Sequence, residues 1–387
     1  MTVAAMTVGG TTPGGGDTAA AMRPMSVSER APRLRARLDG AGCDALLVTN
    51  LVNIRYLTGF TGSAAMLVVL PDDLVFVTDG RYGERATEEL RRAGVPAGVY
   101  VGATMAEQKA TITGAVGAVA RLGLEAEAVT WAQHRRFAAD WFPATELVPT
   151  DDVVEALRRV KDDGEIDRLA EAARIADVAL AANRSLLADG VSESEFALAL
   201  DVAMRREGAD GPSFDTIVAS GPNGAMPHHT PTDRRIGPGE LVVVDFGAQV
   251  DGYCSDMTRT LCVGPPASDT ARRMAEVVAE SQRAGVDAVV DGALAKAVDE
   301  TCREVIAEAG WADAFLHSTG HGVGLEIHEA PRVASTSTDT LESGYVVTVE
   351  PGVYLTGHGG VRIEDTVVVT ADGCRILTNA PKELVVS

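Results

Sequence analysis

Four carboxylates and one imidazole in the C-terminal half of this chain have the types and spacing of a cation-holding site. Asp245 closes the apolar run LVVVD, and Asp256 follows a turn signal at Val250-Asp251-Gly252. The two aspartates are symmetric about a turn centred between Val250 and Asp251. An antiparallel hairpin there sets them directly opposite, with Cβ atoms ~5 Å apart on one face. Glu350, which ends Thr-Val-Glu, and Glu364, which follows Val-Arg-Ile, are likewise symmetric about Gly357. Aspartate is disfavoured within strands, and an unpaired charge ending a buried strand is costly. Four such acids in two opposed pairs stay ionised only beside cations. Two divalent ions ~3.5–4 Å apart, bridged by carboxylates, meet that need.

His321, inside Gly-His-Gly-Val-Gly, adds a neutral nitrogen. Oxygen-dominated ligation with one imidazole selects Mn²⁺, Fe²⁺, Co²⁺ or Zn²⁺ rather than a thiolate-seeking ion. Of seven histidines only His134 lies outside residues 228–358. A histidine taken singly is usually structural. His229 reads as passive and His358 as an exposed turn residue. Arg362 stands two residues before Glu364, on the same strand face, where it can pair with Asp245 or Glu364. The five cysteines form no CxxC pair, which suits reduced thiols in a cytoplasmic protein. Cys254 and Cys262 share the parity of Asp256 and read as core.

The elements that must position these groups recur. Helical patterns over about 163–188 and 193–208 lead to a strand at 213–220 and a hairpin pairing 241–246 with 254–262. Helices over about 269–288 and 293–309 then lead to a second hairpin, 345–351 with 361–369. Two rounds of helix, helix, hairpin predict an internally duplicated α+β domain. Upstream, a helix over 28–39 capped by Ser28, strands at 45–48, 64–69 and 73–78, and an amphipathic helix over 104–122 predict a smaller α/β unit. The domains are therefore expected at 26–150 and 163–387, with a linker at 151–162. Residues 1–25, rich in Gly, Thr and Ala, read as a disordered tail without the features of a secretory signal.

The chain has 387 residues and a net charge of −21. Such a charge repels phosphate backbones and anionic lipids, and no basic patch offsets it, so nucleic acid and membrane surfaces are excluded as partners. No stretch approaches ~20 consecutive apolar residues, so no membrane span is expected.

The segments FDTIVASGPNGAMPHH (214–229), VVVDFGAQVDGYCSDMTRT (242–260), HSTGHGVGLEIHE (317–329), TVEPGVY (348–354) and GVRIED (360–365) resemble the pita-bread metallopeptidases. NIRYLTGFTG (53–62) and TDGRY (78–82) resemble the creatinase-type N-terminal domain of the aminopeptidase P and prolidase branch. The resemblance implies an α+β pita-bread catalytic domain behind that smaller α/β domain. It implies that Asp245, Asp256, His321, Glu350 and Glu364 are the ligands of two divalent ions, Mn²⁺ foremost, with Asp256 and Glu364 as bridges and a bridging hydroxide as nucleophile. By the same resemblance Glu350 is also the general base, and His228 faces the substrate to stabilise the oxyanion or the scissile nitrogen. His317 and His328 line the proline side, and Arg362 orients a carboxylate or binds substrate. Arg81 either reaches a neighbouring subunit's site or steadies its own turn.

The implied activity is hydrolysis of the N-terminal Xaa-Pro bond of proline-containing peptides by a homodimer or higher homo-oligomer. The two N-terminal motifs favour the aminopeptidase P type. Prolidase, acting on Xaa-Pro dipeptides, is the alternative, as is a same-fold hydrolase or lyase acting on a non-peptide molecule. The intact ligand set argues against the metal-free creatinase type and against a non-catalytic binding protein.

Overall fold

The computed structural model describes residues 22–386. The expected disordered tail falls outside these up to residue 21. Its last residues are docked: Arg23 pairs with Asp163 and Asp167, each at 2.6 Å.

The N-terminal unit comprises α1 (Val27–Leu38), β1 (Ala45–Val48), α2 (Leu51–Thr58), β2 (Ala65–Val69), β3 (Leu74–Thr78), α3 (Gly83–Arg92), β4 (Gly98–Val101), α4 (Met105–Val116), β5 (Arg121–Glu125), α5 (Trp131–Arg136) and β6 (Glu146–Thr150). The six strands form one mixed sheet in the order β4-β3-β2-β1-β5-β6. All four residues of β1 are buried, as befits a central strand covered on both faces. Ser28 does not cap α1, which begins a residue earlier after Ser26. The helix expected over 104–122 is shorter. A capping box between Thr104 and Glu107 starts it, Gly117 at φ 51° ends it, and Arg121 and Leu122 enter β5 instead. The short helix α6 (Glu155–Arg158) connects the two units. This connection is packed: Leu157, Arg158 and Lys161 are all buried.

The C-terminal unit runs through α7 (Asp163–Asn183), α8 (Glu193–Arg206), β7 (Gly211–Pro212), β8 (Ile217–Ser220), β9 (Leu241–Phe246), β10 (Ala248–Val250), β11 (Tyr253–Cys254) and β12 (Met257–Val263). It continues through α9 (Asp269–Ala288), α10 (Ala295–Glu308), β13 (Gly320–Gly322), β14 (Glu329–Val333), β15 (Val346–Val349), β16 (Gly352–Leu355), β17 (Gly359–Arg362), β18 (Asp365–Thr370), β19 (Gly373–Ile376) and β20 (Val385–Val386). The first round yields a sheet ordered β20-β12-β9-β8, and the second a sheet ordered β14-β13-β15-β18-β19. The duplication expected from the sequence is the fold's main feature.

Alternation along the strands decides what faces what. In β9, Val242, Val244 and Phe246 join the core under α7 and α8. In β15 and β18, Val347, Val349, Val367 and Val369 join the core under α9 and α10. Each such side chain contributes roughly 1.5–3 kcal/mol when fully buried. The opposite parity, which carries Asp245, Thr258, Thr348 and Glu364, is turned toward the seam between the two rounds. A one-residue slip of either hairpin would send these polar groups into the cores. Among the described residues, no helix is long and apolar enough to cross a membrane.

Candidate metal centre

Three of the acids, Asp256, Glu350 and Glu364, stand at interruptions in the hydrogen-bond ladders of the two β-ribbons, and Asp245 stands inside β9. In the second ribbon Val349 pairs with Asp365 and Gly352 with Arg362. That register is symmetric about Gly357 and sets Glu350 opposite Glu364, as the sequence predicts.

The first ribbon differs. Val250 pairs with Tyr253, and Asp245 pairs with Thr258 rather than with Asp256. The turn is centred between Asp251 (φ 46°) and Gly252 (φ 77°), because a two-residue hairpin turn of this hand needs positive φ at both positions. Asp256 falls instead in the open step against Gly247, where a Cβ would overlap the carbonyl oxygen of Ser255. Asp245 and Asp256 therefore meet diagonally on one face, not head-on. The conclusion that like charges are forced together survives, since Asp245 raises the pKa of Asp256 through its charge.

His321, on β13, completes the cluster. Ligand atoms of Asp256, His321 and Glu364 lie within 4.8 Å of one another. His321 Nδ1 is 3.0 Å from the Gly322 carbonyl oxygen. A proton on Nδ1 satisfies that contact and leaves Nε2 a bare acceptor. Nε2 stands 3.5 Å from Glu350 Oε1 and 3.6 Å from Asp256 Oδ2, too long for good hydrogen bonds but suited to a shared cation.

The electrostatics point the same way. Burial, reinforced by the charge of Glu364, pushes Asp256 and Glu350 well above the ordinary carboxylate range. Burial and then the charge of Asp245 push Glu364 up to about 8. Burial holds His321 down to about 4, hence neutral. Asp245 Oδ1 is buried without a hydrogen-bond partner. Crowded acids that resist ionisation, a neutral imidazole and an orphaned carboxylate oxygen form a donor set that fits divalent cations.

Arg362 is buried behind this cluster, and its three donor positions are all engaged. Nη2 donates to Asp245 Oδ2 at 2.6 Å, Nε to Thr258 Oγ1 at 3.0 Å, and Nη1 to the Tyr354 hydroxyl at 2.6 Å. It fixes the orientation of the Asp245 carboxylate. Thr258 in turn donates to Glu364 Oε2 at 2.6 Å.

The acids open on a cavity of about 440 Å³ that also receives His228, His317, His328 and Arg332. His228 and His328 are exposed to it. His317 lies 2.9 Å from the Tyr354 hydroxyl through Nε2, and burial holds it down to about 4. His328 packs edge-on to His321, ring centroids 4.3 Å apart. His229 bonds Glu193 at 2.9 Å, His358 is exposed in its turn, and Arg81 pairs with Asp79 of its own turn at 2.7 Å. A neighbouring cavity of about 500 Å³ lies between the two units beyond His328. Its ion pairs, such as Arg158 with Glu329, brace the junction.

A model of metallopeptidase family M24 matches residues 167–371, and one of the Creatinase/Prolidase N-terminal domain matches residues 30–160. The chain belongs to metallopeptidase family M24. It is 42% identical to the uncharacterized peptidase YqhT of Bacillus subtilis, covering 92% of this chain and 99% of that one. The Xaa-Pro dipeptidase structure from Bacillus anthracis superposes with a TM-score of 0.88 at 41% identity, covering 93% of this chain and 99% of that one. The X-Pro aminopeptidase structure from Thermotoga maritima superposes with a TM-score of 0.84 at 35% identity, covering 92% and 100%. This M24 chain is thus an enzyme, a metallopeptidase, with a pita-bread catalytic unit behind a creatinase-type N-terminal domain.

Sequence reasoning on this M24 metallopeptidase assigned no role to Thr258, Tyr354 or Arg332. Thr258 was legible only through the true hairpin register. Tyr354 lies inside the motif TVEPGVY, yet its partners, Arg362 and His317, come from two other segments. Arg332 follows its motif and sits among no signal at all.

Proposed function

We propose that this metallopeptidase is a prolidase, hydrolysing dipeptides of the form Xaa-Pro. One observation carries this reading. Arg332 stands opposite His321 in the β13–β14 pair and lines the cavity. Its side chain is exposed, and among the described residues it has neither an ion-pair partner nor a hydrogen bond. Burial, and after it the charge of Arg332, depresses His328 beside it. A proline carboxylate, one residue beyond the scissile bond, is the anion such a guanidinium would receive. A longer peptide has a neutral amide there.

The aminopeptidase expectation rested on residues 53–62 and 78–82, and none of these lines the cavity. They do other work: Tyr56 donates to the Leu157 carbonyl across the domain junction. The name of the Bacillus anthracis relative supports the dipeptidase reading. The Thermotoga maritima relative keeps aminopeptidase as the second reading.

In this proposal Asp245, Asp256, His321, Glu350 and Glu364 hold two divalent ions, Mn²⁺ foremost. When bound, such ions polarise the scissile carbonyl and acidify water. Glu350 accepts the proton released on attack and delivers it to the departing proline nitrogen. His228, without a hydrogen-bond partner among the described residues, donates to the carbonyl oxygen as charge develops there. His317 and His328 flank the prolyl ring. Arg362 acts through Asp245 and Tyr354. The five unpaired thiols suit a cytoplasmic setting, and the proposal includes a homodimer or higher homo-oligomer.

The test compares Met-Pro, Met-Pro-amide and Met-Pro-Ala under Mn²⁺, Co²⁺ and Zn²⁺. The dipeptide should be preferred by about 10-fold or more, the range of one charge-assisted hydrogen bond. Equal rates on all three would return the enzyme to the aminopeptidase class, and no rate on any would remove proline peptides altogether.

A further inference from the structure

Each half of the pita-bread unit carries, on its second helix, a carboxylate with no solvent exposure. Glu193, the first residue of α8, gathers a loop. Its Oε1 accepts from Ser220 N (2.8 Å), Ser220 Oγ (2.7 Å) and Asn223 Nδ2 (3.0 Å). Its Oε2 accepts from Thr232 N (3.1 Å) and Oγ1 (2.7 Å) and meets His229 Nε2 at 2.9 Å. These contacts bind both ends of the segment 220–232, which carries His228 near its middle. Asp299, within α10, does the corresponding work in the second half. Oδ1 accepts from Thr319 N at 3.0 Å, and Oδ2 from Arg303 Nε at 2.7 Å. Arg303 then donates to the carbonyls of Phe315 (3.2 Å) and His317 (2.5 Å). Neither acid lines the substrate cavity.

A buried carboxylate with several donors spent on it fixes whatever backbone supplies those donors. Glu193 draws its donors from residues on both sides of His228. Asp299 accepts from Thr319 beyond His317 and holds Arg303, whose donors meet the carbonyls of Phe315 and His317. The imidazoles themselves reach into the cavity, and that of His228 makes no hydrogen bond among the described residues. The placement of His228 therefore depends on the segment that bears it. We propose that Glu193 and Asp299 are positioning residues, one per half, which set the two imidazoles in the cavity that the metal centre lines. The inference rests on reading His228 and His317 as substrate-facing groups.

The test uses Glu193→Gln and Asp299→Asn in the full chain, with three readouts. A displacement of about 1 Å at a reacting group costs on the order of 100-fold, so kcat on Met-Pro should fall about 10- to 100-fold, with KM moving less than about threefold. Bound Mn²⁺ should stay at the wild-type amount. In metal-free protein carrying ¹³Cε1-histidine, Glu193→Gln should shift the His228 and His229 signals and leave His317 in place, and Asp299→Asn should do the reverse. Loss of thermal stability with every imidazole signal unmoved, or with all of them moved alike, overturns the proposal. If Glu193→Gln does not fold, Thr232→Val, which deletes one side-chain contact to Glu193, replaces it with the same expected selectivity. If Asp299→Asn does not fold, Arg303→Met, which deletes the contacts to the Phe315 and His317 carbonyls, replaces it in the same way. The imidazole signals read positioning even if wild-type enzyme cleaves no Xaa-Pro peptide, so failure of the substrate reading and failure of this one are separable.

Discussion

Thr258 and Glu364 join the two halves of the catalytic unit: the threonine hydroxyl donates to Glu364 Oε2 at 2.6 Å, and the Glu364 amide donates to the Thr258 carbonyl at 3.1 Å. The same hydroxyl accepts from Arg362 Nε. One side chain thus orders an acid of the second ribbon and the guanidinium that steadies Asp245 of the first. Thr258→Val keeps the shape and the backbone bond and deletes the two hydroxyl contacts. It should cost about 1–3 kcal/mol of stability and about 10- to 100-fold in metal affinity. Urea unfolding and competition against a chelator measure the two losses. Wild-type affinity in the variant would confine Thr258 to folding.

Asp256→Ala and Glu364→Ala should remove metal and turnover together, because each acid brings an atom within 4.8 Å of the other and of His321. Metal content by mass spectrometry and rates on Met-Pro are measured on the same preparation. An Asp256→Ala enzyme with full turnover would falsify the metal mechanism.

Chelation should give the protein an unusual pH dependence. Burial raises Glu364 to about 8 in the folded state, against roughly 4.3 when unfolded. Between those values the folded state binds the extra proton, so its stability is complete below about pH 4 and declines as pH rises toward 8. Asp256 and Glu350 are shifted in the same direction. The melting temperature of chelated protein should therefore fall from pH 5 to pH 8. Adding Mn²⁺ should remove the decline, since the ions stabilise the charged acids. A flat profile without metal would mean that the acids are not crowded.

His228→Ala should lower kcat by about 10²–10³-fold, the usual cost of one oxyanion donor, with metal retained. Steady-state kinetics alongside metal analysis decide it, and an unchanged kcat would dismiss His228 from the chemistry.

Arg332→Met should lower kcat/KM on Met-Pro by about 10- to 100-fold, equivalent to one charge-assisted hydrogen bond. The same variant should change Met-Pro-amide little. An equal loss on both substrates would show that Arg332 does not read the carboxylate.

Much of this protein is decided locally, and that much the sequence determined. Residue types, the order Asp, Asp, His, Glu, Glu, the two rounds of helix and hairpin, and the symmetry of Glu350 and Glu364 about Gly357 follow from short-range periodicity and from the cost of stranding acids at the ends of apolar strands. The first hairpin's register did not follow, because the positive φ of Asp251 moved the turn by one residue, and only backbone pairing reports that. Nor did the contacts that make a site of the ligands. Thr258 and Glu364 are 106 residues apart, and Arg362 reaches Asp245 across 117. Such meetings are set by how the two cores pack their sheets face to face, a relation no local pattern encodes. Arg332 is the sharpest case: one arginine among many in the chain, it becomes a candidate for the proposed carboxylate contact only when folding leaves it beside the cavity with no partner among the described residues.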